Sequence, residues 1–210
     1  MDLGRPELAL TAYSISLRLE PRAIPSLVNS ALVYNQLGEK DKAESNLEAA
    51  LEIETDNAPA HLNLGLLKAD LKKPAQAEKH LRLALKHDPN MSQAAYNLGL
   101  LIFESNSDEG LELCRQAFKI NPSPKYAFAI AQLLNLKKDH SGAEKTLDMI
   151  MKRWPHYPLA YLMQAEMYAH RGLTDQAKNV LKKGMEMQGI SVRDKLRLSD
   201  KLHALEESKN

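Results

Sequence analysis

Three asparagines, Asn29, Asn63 and Asn97, stand at a strict 34-residue step, and each is followed three residues later by a leucine (Leu32, Leu66, Leu100). A primary amide carries two N–H donors and one acceptor, so it can bond both the N–H and the C=O of one peptide unit without reading its side chain. A ladder of such amides is suited to holding a main chain, not to making or breaking bonds. Leu62, Tyr96, Phe128 and Leu162 recur on the same face and would add apolar area. Three bidentate contacts would contribute roughly 3–9 kcal/mol, against an association cost of about 4–15 kcal/mol. Apolar burial therefore has to supply the rest.

The other reactive side chains point away from catalysis. His80 and His87 lie two helical turns apart, too far for joint metal ligation on a straight helix, and no carboxylate cluster completes a site. His61 falls in an apolar stripe and reads as a packed core histidine. Cys114, the single cysteine, excludes an internal disulfide and stands where burial is expected, so it reads as a small hydrophobe. No glycine-rich phosphate loop, nucleophile elbow or paired-carboxylate motif occurs. The expectation is a non-enzyme with no cofactor and no metal.

Bulk properties narrow the partners. The 210 residues carry 28 basic and 27 acidic side chains, without the basic excess of a nucleic-acid binder. No apolar run reaches the length of a membrane span, and no secretory signal is visible. The default compartment is the cytoplasm, unless the chain is a fragment of a longer protein.

Short side chains set the beat that positions the asparagines. Ala9, Ala43, Ala77, Gly110, Ala143 and Ala177 follow at steps of 34, 34, 33, 33 and 34 residues, and Pro21, Thr55, Pro89, Pro122, Pro155 and Gly189 keep the same period. Each repeat of this length buries its apolar face only against its neighbours, which gives a stacked array. Between Ala58 and Asn90, His61, Leu64, Gly65 and Lys68 form one helical stripe, and Ala77, Leu81 and Ala84 form a second. Lys72-Lys73-Pro74 interrupts the two stripes, and Asp88-Pro89 stops the second, since proline lacks an amide donor and disfavours helix in the residue before it. The same hairpin is expected over 24–57, 58–91, 92–123 (two residues short), 124–157 and 158–191. A half repeat, 4–23, with Gly4 at its turn, precedes them, and a capping helix, 192–210, follows. The shortened third unit, with Gly110 in its second helix, is the expected weak point.

Asn63-Leu64-Gly65, Asn97-Leu98-Gly99, the tyrosines Tyr34 and Tyr168, and the leucines Leu47, Leu81, Leu147 and Leu181 together resemble the tetratricopeptide repeat (TPR). His61, Gly110, Ile150 and Gly184 depart from that pattern. The resemblance implies an all-α, right-handed superhelical solenoid of antiparallel hairpins, about 12 helices in all, whose concave groove binds peptides or partner proteins. The asparagine ladder is similar to the TPR arm of O-linked N-acetylglucosamine transferases, where such residues grip an extended peptide. The basic residues of the family's chaperone-tail clamp are missing: Val28, Leu32, Gln93 and Asn97 stand at its places, and only Asn63 agrees.

The leading expectation is thus a scaffold binding a protein or peptide segment through Asn29, Asn63, Asn97, Leu32, Leu62, Leu66, Tyr96, Leu100, Phe128 and Leu162. Two alternatives remain open. One is self-assembly as a homodimer through terminal helices, because Leu8, Ala12, Tyr13 and Ile15 would otherwise lie exposed. The other is an arm of a larger bacterial enzyme or cytochrome, although no haem-attachment Cys-x-x-Cys-His occurs.

Overall fold

The computed structural model describes residues 5–207, so the turn expected at Gly4 and the last residues of the capping segment, 208–210, lie outside the described residues. Among the described residues there are twelve α-helices and no strands: α1 (Pro6–Leu19), α2 (Ile24–Gln36), α3 (Lys40–Ile53), α4 (Ala58–Asp70), α5 (Pro74–His87), α6 (Ser92–Ile102), α7 (Ser107–Ile120), α8 (Pro124–Leu136), α9 (His140–Arg153), α10 (Pro158–His170), α11 (Thr174–Glu186) and α12 (Val192–Glu207). The all-α class expected from the period is the class observed. No helix among the described residues is long and apolar enough to cross a membrane.

Local chemistry sets the helix ends. Proline occupies the first turn of α1, α2, α4, α5, α8 and α10, where its missing N–H costs nothing. Asn57 caps α4 by accepting from the Ala60 N–H at 2.9 Å, and Asp139 caps α9 by accepting from the Gly142 N–H at 2.8 Å. Four hairpin turns pass through one left-handed residue at the same place in the repeat: Gly38 (φ 80°), Lys72 (φ 57°), Lys138 (φ 64°) and Gly172 (φ 74°). The shortened third turn has no such residue; there the Ser105 and Asn106 N–H groups both return to the Ile102 carbonyl.

The chain divides into two compact units after Ile120. In the first, α2 pairs with α3, α4 with α5 and α6 with α7, while α1 packs on α2, α3 on α4 and α5 on α6. In the second, α8 pairs with α9 and α10 with α11, and α12 packs on both α10 and α11. Small residues line the hairpin seams: Ala31, Ala43, Ala77, Ala143, Ala165 and Ala177 are all at most 1 % exposed. Between the seams lie Leu27, Leu47, Leu64 and Leu67 in one cluster, and Leu81, Leu98 and Ile102 in the next. The helices α2, α4 and α6 thereby stand side by side, since α4 touches both of the others.

Candidate functional site

The three asparagines project from neighbouring first helices of the first unit: Asn29 from α2, Asn63 from α4 and Asn97 from α6. All three are partly buried. The Asn63 Nδ2 donates to the Pro59 carbonyl at 3.0 Å, and the Asn97 Nδ2 donates to the Gln93 carbonyl at 2.7 Å, each one turn back on its own helix. That bond occupies one N–H of the amide and fixes its plane. The second N–H and the Oδ1 acceptor are left over, which is the pair of groups a single peptide unit requires.

The apolar residues of the expected face divide by environment. Leu32 and Leu100 are exposed, and Leu66 and Tyr96 are partly buried. Leu62 is buried and belongs to a core cluster with Leu81, Ala84, Ala94 and Leu98, so its side chain is spent on packing within the first unit. Leu32, Asn63 and Leu66 come together around a crevice of about 40 Å³ between α2, α3 and α4. Asn35 lines the same crevice and was not among the expected residues. Its signal was available: it lies three residues beyond Leu32, on the same helical face.

The other two expected residues, Phe128 and Leu162, lie in the second unit and meet there. They line a pocket of about 400 Å³ with Leu136, Leu159, Met163, Gln132, Asn135 and Glu166. The Phe128 ring sits edge-on to Tyr157 at 5.7 Å between centroids. Leu136 is 67 % exposed at this pocket. Glu166 accepts from the Lys201 Nζ at 2.8 Å.

The histidines form a cluster the spacing did not foresee. His61 is buried, and its Nε2–H donates to the Thr55 carbonyl at 3.0 Å. That fixes the tautomer of the neutral ring, so the bare Nδ1 of His61 accepts from the Nδ1–H of His80 at 3.1 Å. His87 stacks on His61 at 5.9 Å. Burial pushes both bonded histidines below the usual range, His80 to about 4; His87 and Lys79 act in the same sense on His61, and His61, Lys79 and Lys68 do so on His80, with Glu44 opposing. An unfolded histidine takes its proton near pH 6.5, so the unfolded state binds more protons below that point. The pair's stability contribution is complete above about pH 6.5 and is lost as pH falls from there toward 4. His80 is only half-buried, so solvent screening limits the loss to about 1–2 kcal/mol. Thermal melts should show a midpoint falling between pH 6.5 and 4.5, and His80→Gln should flatten that dependence; an unchanged slope in the variant would place its origin elsewhere.

Cys114 is fully buried, with its thiol pushed up to about 12 by burial alone, which makes it inert as a nucleophile.

Residues 24–57 and 62–110 match family models of the tetratricopeptide repeat. No match was found among curated proteins. Among solved structures, a tetratricopeptide repeat protein from Parabacteroides merdae superposes with a TM-score of 0.74 at 19% identity, over 99% of this chain and 83% of that one. PilF of Pseudomonas aeruginosa gives 0.71 at 20% identity, over 90% and 88%. YrrB, described as a TPR protein with an unusual peptide-binding site, gives 0.68 at 17% identity, over 90% and 98%. At such identities the likeness is one of fold.

Proposed function

We propose, from the premise that the chain is a tetratricopeptide-repeat protein, that it is a non-catalytic scaffold binding an extended peptide segment across α2, α4 and α6. The observation that carries this reading is the amide geometry. Asn63 and Asn97 are each held by their own helix with one N–H and one acceptor unused. Packed helices stand about 8–10 Å apart. One turn of a polyproline II strand advances three residues, or roughly 9 Å. Successive asparagines would therefore meet every third peptide unit of such a strand, on the same side each time. Leu32, Leu66, Tyr96 and Leu100 beside the ladder offer the apolar burial that hydrogen bonds alone cannot replace. Proteins of this repeat generally mediate protein–protein contacts, and YrrB is one with a peptide-binding site.

The test is a peptide-display selection on the purified chain, counter-screened on a folded Asn29, Asn63, Asn97 triple alanine variant. Asn63→Ala with Asn97→Ala should weaken a selected peptide by about 30-fold, equivalent to the loss of about 2 kcal/mol across four hydrogen bonds. The melting temperature should stay close to wild type. A large stability loss with unchanged affinity would mark the amides as braces of their own helices only.

A second reading has its own observation. α1 buries no residue, and Leu8, Ile15 and Leu19 are 58 %, 44 % and 83 % exposed. If no peptide enriches, two alternatives remain, self-assembly through α1 and service as an arm of a larger protein.

A further inference from the structure

The Oδ1 of Asn35 is, among the described residues, the one buried side-chain oxygen or nitrogen with no hydrogen-bond partner. It lines the crevice of about 40 Å³ whose other walls are Ala31, Leu32, Ala43, Leu47 and Leu67, with Asn63 and Leu66 at the α4 side. We propose that this crevice is the side-chain specificity pocket of the peptide groove and that it takes a serine hydroxymethyl group of the bound segment. The proposal rests on the groove reading and adds a preference the asparagine ladder cannot provide, because main-chain bonds do not distinguish residues.

Three physical points select that occupant. The crevice is about a tenth the size of the pocket at Phe128, which suits a short side chain. The apolar walls suit the methylene, and the orphan Oδ1 suits the O–H. Amide oxygen and nitrogen can exchange places by a flip of the side chain, and a hydroxyl both donates and accepts, so it matches either orientation. A trapped water is the competing occupant. Buried waters typically make about three hydrogen bonds, and a water here would have to share the Asn35 Oδ1 with the spare amide groups of Asn63, which the groove reading commits to the peptide main chain. A hydroxyl tethered to a peptide needs only that one partner, since its carbon is already held.

An alanine side chain would also fit, but it would leave Oδ1 unpaired, so the pocket should discriminate by the hydrogen bond. Random peptide libraries selected on the full chain and on Asn35→Leu provide the probes. Peptides from the wild-type selection should share serine at one register position. Replacing that serine by alanine should weaken binding about 10-fold on wild type and less than about 2-fold on Asn35→Leu, which is the coupling a double-mutant cycle reads. Asn35→Ala serves as the second variant should the leucine distort α2, and it should abolish the serine preference in the same way. Selected peptides that depend on Asn63 and Asn97 but show no serine preference would overturn the pocket and leave the groove standing. A serine preference that persists in both Asn35 variants would do the same. Failure of any peptide to enrich would remove both readings, and a crystal structure with a water bonded to three partners in the crevice of the peptide complex would overturn the pocket alone.

Discussion

Gly110→Val is expected to destabilise the chain by about 3 kcal/mol, at the upper end of what overpacking costs, and to lower its melting midpoint by roughly 6–12 °C. The third hairpin has glycine on both sides of its seam, where the neighbouring hairpins have at least one alanine. A Cβ at Gly110 would lie 2.7 Å from the Gly99 carbonyl oxygen and 2.9 Å from the Phe103 Cα; one at Gly99 would lie 2.7 Å from the Gly110 oxygen and 2.9 Å from the Cys114 Sγ. The obstacles are mostly backbone, so no rotamer change can relieve them, and α6 must separate from α7. Separation opens the contact of Leu98 and Ile102 with their neighbours in the first unit. The loss should grow from Gly110→Ala to Gly110→Val. Hydrogen exchange should place the loosening in α6 and α7 while α2 and α3 keep their protection. A valine variant that melts within about 2 °C of wild type would show that the two helices yield freely.

That seam also shows what a period can and cannot reveal. The 34-residue beat marks Gly110 as a small-residue position, and its departure from alanine reads in the sequence as a weakness. The crossing gives the departure a reason, because Gly99 brings the opposing backbone so near that alanine no longer fits. Proline at helix starts acts through the backbone, which local sequence controls, whereas the left-handed Lys72 and Lys138 carry no such signal. Side-chain direction was less legible. Leu62 stands on the expected groove face, yet it sits beside α6, and the neighbouring hairpin covers it. Asn63 and Asn97 each bend back to a carbonyl of their own helix, a choice of rotamer that no spacing encodes. Asn35 and Leu136 were missed because they lie at the end of the face, where one turn of helix separates groove from loop. Contacts from the adjacent hairpin decide such positions, and the pattern along one helix does not encode them.

Glu44→Leu is expected to destabilise by about 3 kcal/mol, and Lys68→Met by only about 1 kcal/mol, although both break the same ion pair. Lys68 stands on α4 where two other repeats carry Tyr34 and Tyr168, and it is only 6% exposed. Its ammonium bonds the carboxylate of Glu44 on α3. The two ends differ in their access to water: the Glu44 side chain is 25% exposed and the Lys68 side chain 8%. Removing the lysine lets the carboxylate rehydrate, while its methionine replacement keeps the apolar stem packed. Removing the glutamate leaves a buried ammonium near the His61–His80 pair without its bonded carboxylate. The double variant should lie within about 1 kcal/mol of wild type, because a packed methionine–leucine contact replaces the pair without a stranded charge. The histidines supply an independent reading of the same electrostatics. Lys68 lowers the His80 value and Glu44 raises it, so Lys68→Met should move the His80 titration upward and Glu44→Leu should move it further down. Denaturant melts and a proton-resonance titration of His80 measure the two effects separately. Equal destabilisation by the two single substitutions, with the His80 titration unmoved in both, would mean that the pair is solvated and its charges do not act on the core.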